Sequence, residues 1–239
     1  MILKSKKKIN SIKVITLFPK LYEPFIENGP MKKAIENSIV NFETVYLKDF
    51  GLGKQKQVDD TPYGGGAGML LMIEPIDNAI KKIKTKKSKV ILITPDGEKY
   101  SNDMAKKLSI EEDLIFVSGY YEGFDDRVKN IIDMEISIGD YIVSRGDFPI
   151  LNIVDSIVRL KDDVISEDSI IEESFNNNLL EYPQYTKPRN YKNMKVPDVL
   201  ISGNHKKIDE FRLNESIKKT KNRRKDLYYK YKEQNNGSK

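Results

Sequence analysis

The chain has 239 residues, 38% of them apolar and 32% charged, with a net charge of +5 at neutral pH. That length can bury one good core plus a smaller module, and no apolar run approaches the ~18 residues that a membrane-spanning helix needs. Cysteine is absent and histidine occurs once, at His205, which excludes disulfides, thiol nucleophiles, thiolate metal sites and any mechanism built on two imidazoles. The charge is also unevenly placed. Residues 205–239 hold twelve Lys and Arg against five Asp and Glu, so residues 1–204 carry a slight acidic excess. Basic residues interleaved with Phe211, Tyr228, Tyr229 and Tyr231 are the footprint of an RNA-facing surface, although a solvated helical face has the same composition.

The chain opens on Lys4, Lys6, Lys7 and Lys8, but the apolar stretch at 12–18 is short and broken by Lys13, so it is not the core of a signal peptide. With no cysteine either, a cytoplasmic address is expected. Residues 12–18 then read as a strand, followed by a helical segment over 20–37 with a break at Gly29-Pro30. Residues 40–47 alternate with period two, and Ile76, Ile80 and Ile83 share one face of a helix over 74–84. Residues 90–94 form a buried-strand run ended by the turn signal Pro95-Asp96-Gly97, after which Ser101 caps a helix reaching Leu108. Residues 114–118, a helix around 125–132 and the run 150–160 complete the series. Such alternation implies an α/β fold with a mainly parallel sheet covered by helices on both faces.

Ligands in such sheets bind beyond the C-terminal ends of the strands. Three glycine-bearing loops fall there: Thr94-Pro95-Asp96-Gly97, Ser118-Gly119-Tyr120-Tyr121-Glu122-Gly123, and residues 137–146. Together they predict a pocket of backbone amides and carbonyls with one or two carboxylates, suited to an adenosine-like ligand. A fourth loop, TPYGGGAGM at 61–69, crowds four glycines into five positions behind Asp59 and Asp60. As a nucleoside-triphosphate loop it is a poor motif match, because no Lys and no Ser or Thr follow its last glycine. Three readings stay open: an ordinary flexible loop, a loop shaped to lie against a bulky planar partner, and the phosphate loop of a nucleoside-triphosphate enzyme.

From residue 162 to 186 there are seven acidic residues, no Lys or Arg, and the run Asn176-Asn177-Asn178, the composition of a mobile linker or lid. The tail beyond Val199 returns to a helical pattern, with Asn204 as its cap. Three parts follow: an α/β domain at 11–161, an acidic linker or lid at 162–186, and a small basic helical C-terminal domain at 187–239 that would meet RNA.

The strings DDTPYGGGAGM, SGYYEGFDDRV, SIGDYIVSRGDFP, DSIVR, EESF and SGNHKKIDEFR, with Arg223-Arg224 after them, occur in register over nearly the whole chain. In this the sequence resembles the bacterial tRNA (guanine-N1-)-methyltransferase family of the knotted SPOUT superfamily. The resemblance implies transfer of a methyl group from S-adenosylmethionine to ring nitrogen 1 of the guanosine just 3′ of the anticodon, position 37. It also implies a homodimer with its active site at the interface, dependence on Mg2+, and a deep trefoil knot in the sheet. A non-catalytic RNA-binding protein on the same fold is the alternative.

Carried over by motif, the cofactor pocket would comprise Thr94, Pro95, Gly119, Glu122, Ile138, Gly139, Asp140, Tyr141, Ile142, Val143, Gly146 and Pro149. Ring nitrogen 1 of guanine carries a proton, so the chemistry needs a base and a cation for the charge that moves onto the C6 carbonyl oxygen. The resemblance gives the cation as Arg159 and the base as Glu173, with Glu172 and Asp168 in contention, since Glu stands where the family has Asp and ~1 Å of misplacement can cost about a hundredfold in rate. Read from the residues alone, Glu173 is a solvated acid in an acidic segment, and Asp155 and Arg159 are an i,i+4 surface pair. Asp59, Tyr63, Gly64 and Gly65 would wall the guanosine site, and Ser202 and His205 would touch substrate. Arg145 stands where the family has Gly, and Tyr120 where it has Arg. A guanidinium would repel the donor's sulfonium, so Arg145 is expected to point outward toward RNA phosphate.

Overall fold

The computed structural model describes residues 10–166 and 173–236. The basic residues at 4–8 and the acids Asp168 and Glu172 lie outside the described residues. The chain divides into two compact units, Met1–Ile165 and Ser166–Lys239.

The first unit is built on a five-stranded, wholly parallel sheet of order β2-β1-β6-β5-β7. Its strands are β1 (Asn10–Thr16), β2 (Val40–Tyr46), β5 (Ser88–Lys99), β6 (Asp113–Val117) and β7 (Met134–Ser137), while β3 (Asp59–Asp60) and β4 (Leu70–Leu71) form a separate antiparallel pair. All five residues of β6 are buried, as expected of a strand flanked by neighbours and covered on both faces. Period-two alternation sends Ile91 and Ile93 to one face and Val90 and Leu92 to the other. On the first face pack α2 (Gly29–Glu36), α4 (Asn102–Ser109) and α5 (Asp147–Val158), through Met31, Ala34, Met104, Leu108, Ile153 and Ile157. On the second lies α3 (Ile73–Ile83), through Ile76, Ala79 and Ile80. A short helix, α1 (Glu23–Ile26), precedes α2, and the break expected at Gly29-Pro30 is the start of α2. Ser101 caps α4, its hydroxyl oxygen accepting from the Met104 N–H at 3.3 Å.

Two readings need correction. Pro95-Asp96-Gly97 does not end β5. The strand pairs with β7 through Ile93, loops out 94–97, and resumes with Glu98 opposite Ile136 and Lys99 opposite Ser137. The apolar run at 114–118 and the one at 90–94 carried the strand signal, whereas the four-residue Met134–Ser137 strand falls between the helix expected around 125–132 and the loop expected at 137–146, where no element was read. The helix expected around 125–132 is a single 3₁₀ turn, Asp126–Asn130, capped by the Asp125 carboxylate on the Arg127 N–H at 2.9 Å. A capping acid with only five residues after it makes a turn rather than a helix.

The second unit contains α6 (His205–Arg223) and α7 (Lys225–Asn236), and the hairpin of β8 (Asn190–Tyr191) with β9 (Met194–Lys195). Asn204 caps α6 by accepting from the Lys207 N–H at 3.1 Å. Within 162–186, the part from 173 onward is tied down inside its unit. The Leu180 N–H donates to Thr220 Oγ1 at 2.8 Å, Lys219 Nζ to the Glu181 carbonyl at 2.8 Å, and the Glu181 N–H to Ser174 Oγ at 3.0 Å.

Phe116 is fully buried in the middle of β6. Replacing it with Ala removes apolar burial and leaves a cavity, so urea denaturation should show a loss of about 3–5 kcal/mol.

Candidate active site

The loops leaving β5, β6 and β7 enclose a cavity of about 510 Å³, within the range of small-molecule sites, roughly 300–1,000 Å³. Thr94 and Pro95 come from the loop-out in β5, Gly119 and Glu122 from the exit of β6, and Ile138, Gly139, Tyr141, Ile142 and Val143 from the exit of β7. Gly146 and Pro149, at the start of α5, complete the wall. Every residue expected in the cofactor pocket therefore lines this one cavity except Asp140. That side chain is 96% exposed and lies 3.9 Å from Lys99 at the surface.

The closest approach in the wall is between backbones. The Gly146 N–H donates to the Gly119 carbonyl at 2.7 Å, and a Cβ on Gly146 would lie 2.6 Å from the Gly119 nitrogen. No side chain fits there without moving one loop off the other. Ser137 Oγ holds the next turn, accepting from the Gly139 N–H at 3.2 Å. Ser137 and Phe124 also line the cavity. Ser137 sat inside the loop read from sequence but carried no sign of this role, and Phe124 lay one residue beyond the loop read to Gly123, inside the string SGYYEGFDDRV but given no role there.

The glycine loop at 61–69 flanks the cavity. Its stem is laced to the β6 exit loop: Glu122 N–H donates to the Met69 carbonyl at 3.0 Å, Leu71 N–H to the Gly123 carbonyl at 2.9 Å, and Asp125 N–H to the Leu71 carbonyl at 2.9 Å. A Cβ on Gly68 would strike the Glu122 side chain at 2.4 Å. The tip stands clear, with Tyr63 fully exposed and Gly64 and Gly65 at φ of +86° and +79°, conformations that side chains resist. Asp59 and Tyr63 are gathered at this flank. Partial burial, then the charges of Asp59 and Tyr120, push the Tyr121 phenol up. The Arg127 guanidinium is raised first by Asp125, with Tyr63 contributing.

Arg145 is not outward, and that expectation is corrected. It lines the cavity, with its guanidinium carbon 4.3 Å from the centre of the Phe18 ring and 5.7 Å from those of Tyr120 and Phe148. Cation–π attraction to three rings outweighs solvation of a side chain whose stem is already half-buried. Two residues on, Asp147 is buried, its Oδ1 accepting from Thr16 Oγ1 at 2.6 Å and Tyr22 Oη at 2.9 Å. Burial, then the Asp147 charge and hydrogen bond, push the Tyr22 phenol up.

Arg159, the expected cation, closes the far end of α5, its N–H donating to the Asp155 carbonyl at 3.0 Å. The twelve-residue helix is roughly 18 Å long at 1.5 Å per residue, so Arg159 is remote from the cavity at the helix start.

In the second unit, Glu173 is half-buried on a cavity of about 290 Å³ that also presents Tyr182, Asp209, Arg212 and Ser216. The Arg212 guanidinium lies 4.7 Å over the Tyr182 ring. Ser202 and His205 are exposed at the start of α6, and Ser202 Oγ donates to the Val199 carbonyl at 2.7 Å. Among the described residues, no cluster of three or more His, Asp or Glu side chains is arranged to hold a metal ion, and no helix is long and apolar enough to cross a membrane.

A family model described as tRNA (Guanine-1)-methyltransferase TrmD matches residues 10–230. The chain belongs to this family. A relative from Malacoplasma penetrans, named tRNA (guanine-N(1)-)-methyltransferase, is 49% identical over 94% of this chain and 99% of its own length. Relatives of the same name from Borreliella burgdorferi and Clostridioides difficile are each 48% identical over 91% of this chain, covering 92% and 96% of theirs.

In this methyltransferase, the contact between Gly146 and Gly119 is the closest approach among the glycines that line the cavity. Gly146→Ala should overpack it, costing about 1–3 kcal/mol of stability. An unchanged urea midpoint would contradict the geometry.

Proposed function

We propose that this protein methylates ring nitrogen 1 of guanosine 37 in tRNA, using S-adenosylmethionine. The observation that carries the reading is near-complete coverage by relatives bearing the guanine-N(1)-methyltransferase name. The cavity supports the donor assignment. It is large enough for a nucleoside with an amino-acid tail, and its wall combines four glycines and apolar side chains such as Ile138 and Val143 with hydroxyl and charged groups. Thr94, Pro95, Gly119, Ile138, Gly139, Tyr141, Ile142, Val143, Gly146 and Pro149 would hold the donor, with Glu122 the carboxylate on the wall. Asp140 is left out of this set because its side chain faces solvent. S-adenosylmethionine supplies an electrophilic methyl group on a positively charged sulfur.

The chain's own residues then have three tasks. Glu173 takes the proton from guanine N1, making that nitrogen nucleophilic. Arg159 donates to the C6 carbonyl oxygen as negative charge grows there. The glycine loop, with Asp59, Tyr63, Gly64 and Gly65, lies against a base turned out of the anticodon stack. Ser202 and His205, beside the basic face of α6, position the RNA, and residues 187–239 form the tRNA-binding domain beyond the acidic segment 162–186. The described residues form no cage for magnesium, so none is assigned to it.

The working form is a homodimer in which Glu173 and Arg159 of one subunit serve the donor cavity of the other. Two observations support this. Arg159 is one helix length from the cavity start in its own subunit, and the cavity mouth carries exposed Tyr141, Ile142 and Phe148, at 57%, 81% and 45%, an apolar patch suited to a protein partner. A trefoil knot at β7 and α5 belongs to the same proposal. The close passage of Gly146 against Gly119 is the contact a threaded chain would make.

The test is radiolabelled methyl transfer to unmodified tRNA with guanosine at position 37. Wild type should label it and leave a tRNA with adenosine there unlabelled. Glu173→Gln should lower the single-turnover rate by about 10²–10⁴-fold, with Glu172→Gln and Asp168→Asn near wild type. Absence of label in wild type with magnesium present would leave only an RNA-binding protein on this fold.

A further inference from the structure

Six charged side chains reach the cavity wall: Asp96, Glu122, Asp125, Asp126, Lys129 and Arg145. Four are already held in ion pairs, with Lys129 shared between two carboxylates. Lys129 Nζ lies 3.2 Å from Asp96 and 2.8 Å from Asp126, and Arg127 binds Asp125 at 2.5 Å. Glu122 and Arg145 have no ion-pair partner among the described residues. Arg145 is pinned by the rings of Phe18, Tyr120 and Phe148, and its Nε is buried without a hydrogen-bond acceptor. A buried guanidinium N–H left bare is costly. The Nε and Nη edge of arginine is the fork that grips a carboxylate with two parallel hydrogen bonds.

Resting on the donor assignment above, we propose that Arg145 binds the α-carboxylate of the donor's amino-acid end. That carboxylate is the donor's single anionic group. Placed on Arg145, it screens the guanidinium from the sulfonium, which removes the repulsion expected of a cation in this wall, and leaves Glu122 to face the donor's cationic or hydroxyl groups. Asp147 is the competing acceptor, with a second carboxylate oxygen that is also buried and unpartnered. It makes no ion pair with Arg145, and its Oδ1 is held by Thr16 and Tyr22. If Arg145 served only to balance Asp147, its loss would weaken every nucleoside ligand alike.

Calorimetry on the full chain separates these roles, using S-adenosylhomocysteine, its decarboxylated counterpart and 5′-methylthioadenosine, which lacks the amino-acid end. Arg145→Gln should weaken S-adenosylhomocysteine about tenfold or more and methylthioadenosine less than about twofold, with Arg145→Lys recovering part of the loss. Equal weakening of both ligands would overturn the proposal in favour of a structural role. Unchanged nucleoside binding with weaker tRNA binding would overturn it in favour of a phosphate contact. Should the variants fail to fold, wild type alone still decides: it must prefer S-adenosylhomocysteine to the decarboxylated form about tenfold, and no preference overturns the assignment. If wild type binds none of the three, it is the donor reading that fails.

Discussion

The site depends on one place where two stretches of backbone touch. The Gly146 N–H reaches the Gly119 carbonyl at 2.7 Å, leaving no room for a Cβ. That hydrogen bond clamps the exit of β7 onto the exit of β6. It also fixes where α5 begins, since Gly146 is the helix N-cap. From there Ile150, Ile153, Val154, Ile157 and Val158 drive the helix into the core. Burying each such side chain contributes roughly 1.5–3 kcal/mol, so packing remote from the cavity holds its loops in place.

Two cations at this wall are held by carboxylates: Lys129 lies between Asp96 and Asp126, and Arg127 binds Asp125. That is what a cationic methyl donor requires, since a bare lysine or arginine facing it would oppose binding. Arg145 breaks the pattern in sequence but less so in space, because three aromatic rings hold it. On the proposed donor assignment, the chain places a cation in the wall facing a cation by confining where its charge points.

Much of this was legible in the sequence where the signal is local. Ser101 and Asn204 announce their helices because a cap is set within four residues. β6 announces itself because an apolar run this short between turn signals has few other uses. The three cavity loops were legible because glycines follow directly on such runs. What escaped is non-local. The resumption of β5 after its loop-out depends on pairing with β7, and β7 is too short to show a period. The direction of Arg145 depends on Phe18, more than a hundred residues away in the chain, and charge repulsion considered alone pointed it the wrong way. Asp140 sits between Gly139 and Tyr141, which both line the cavity, yet motif position does not determine which way a loop side chain turns.

The central claim is that three strand-exit loops form one donor site. Amide hydrogen exchange with and without S-adenosylhomocysteine tests it most directly. The account predicts slowed exchange confined to the loops at 94–97, 119–123 and 138–146, together with the start of α5. Ligand-induced protection elsewhere, or none in these loops at saturating ligand, would contradict it.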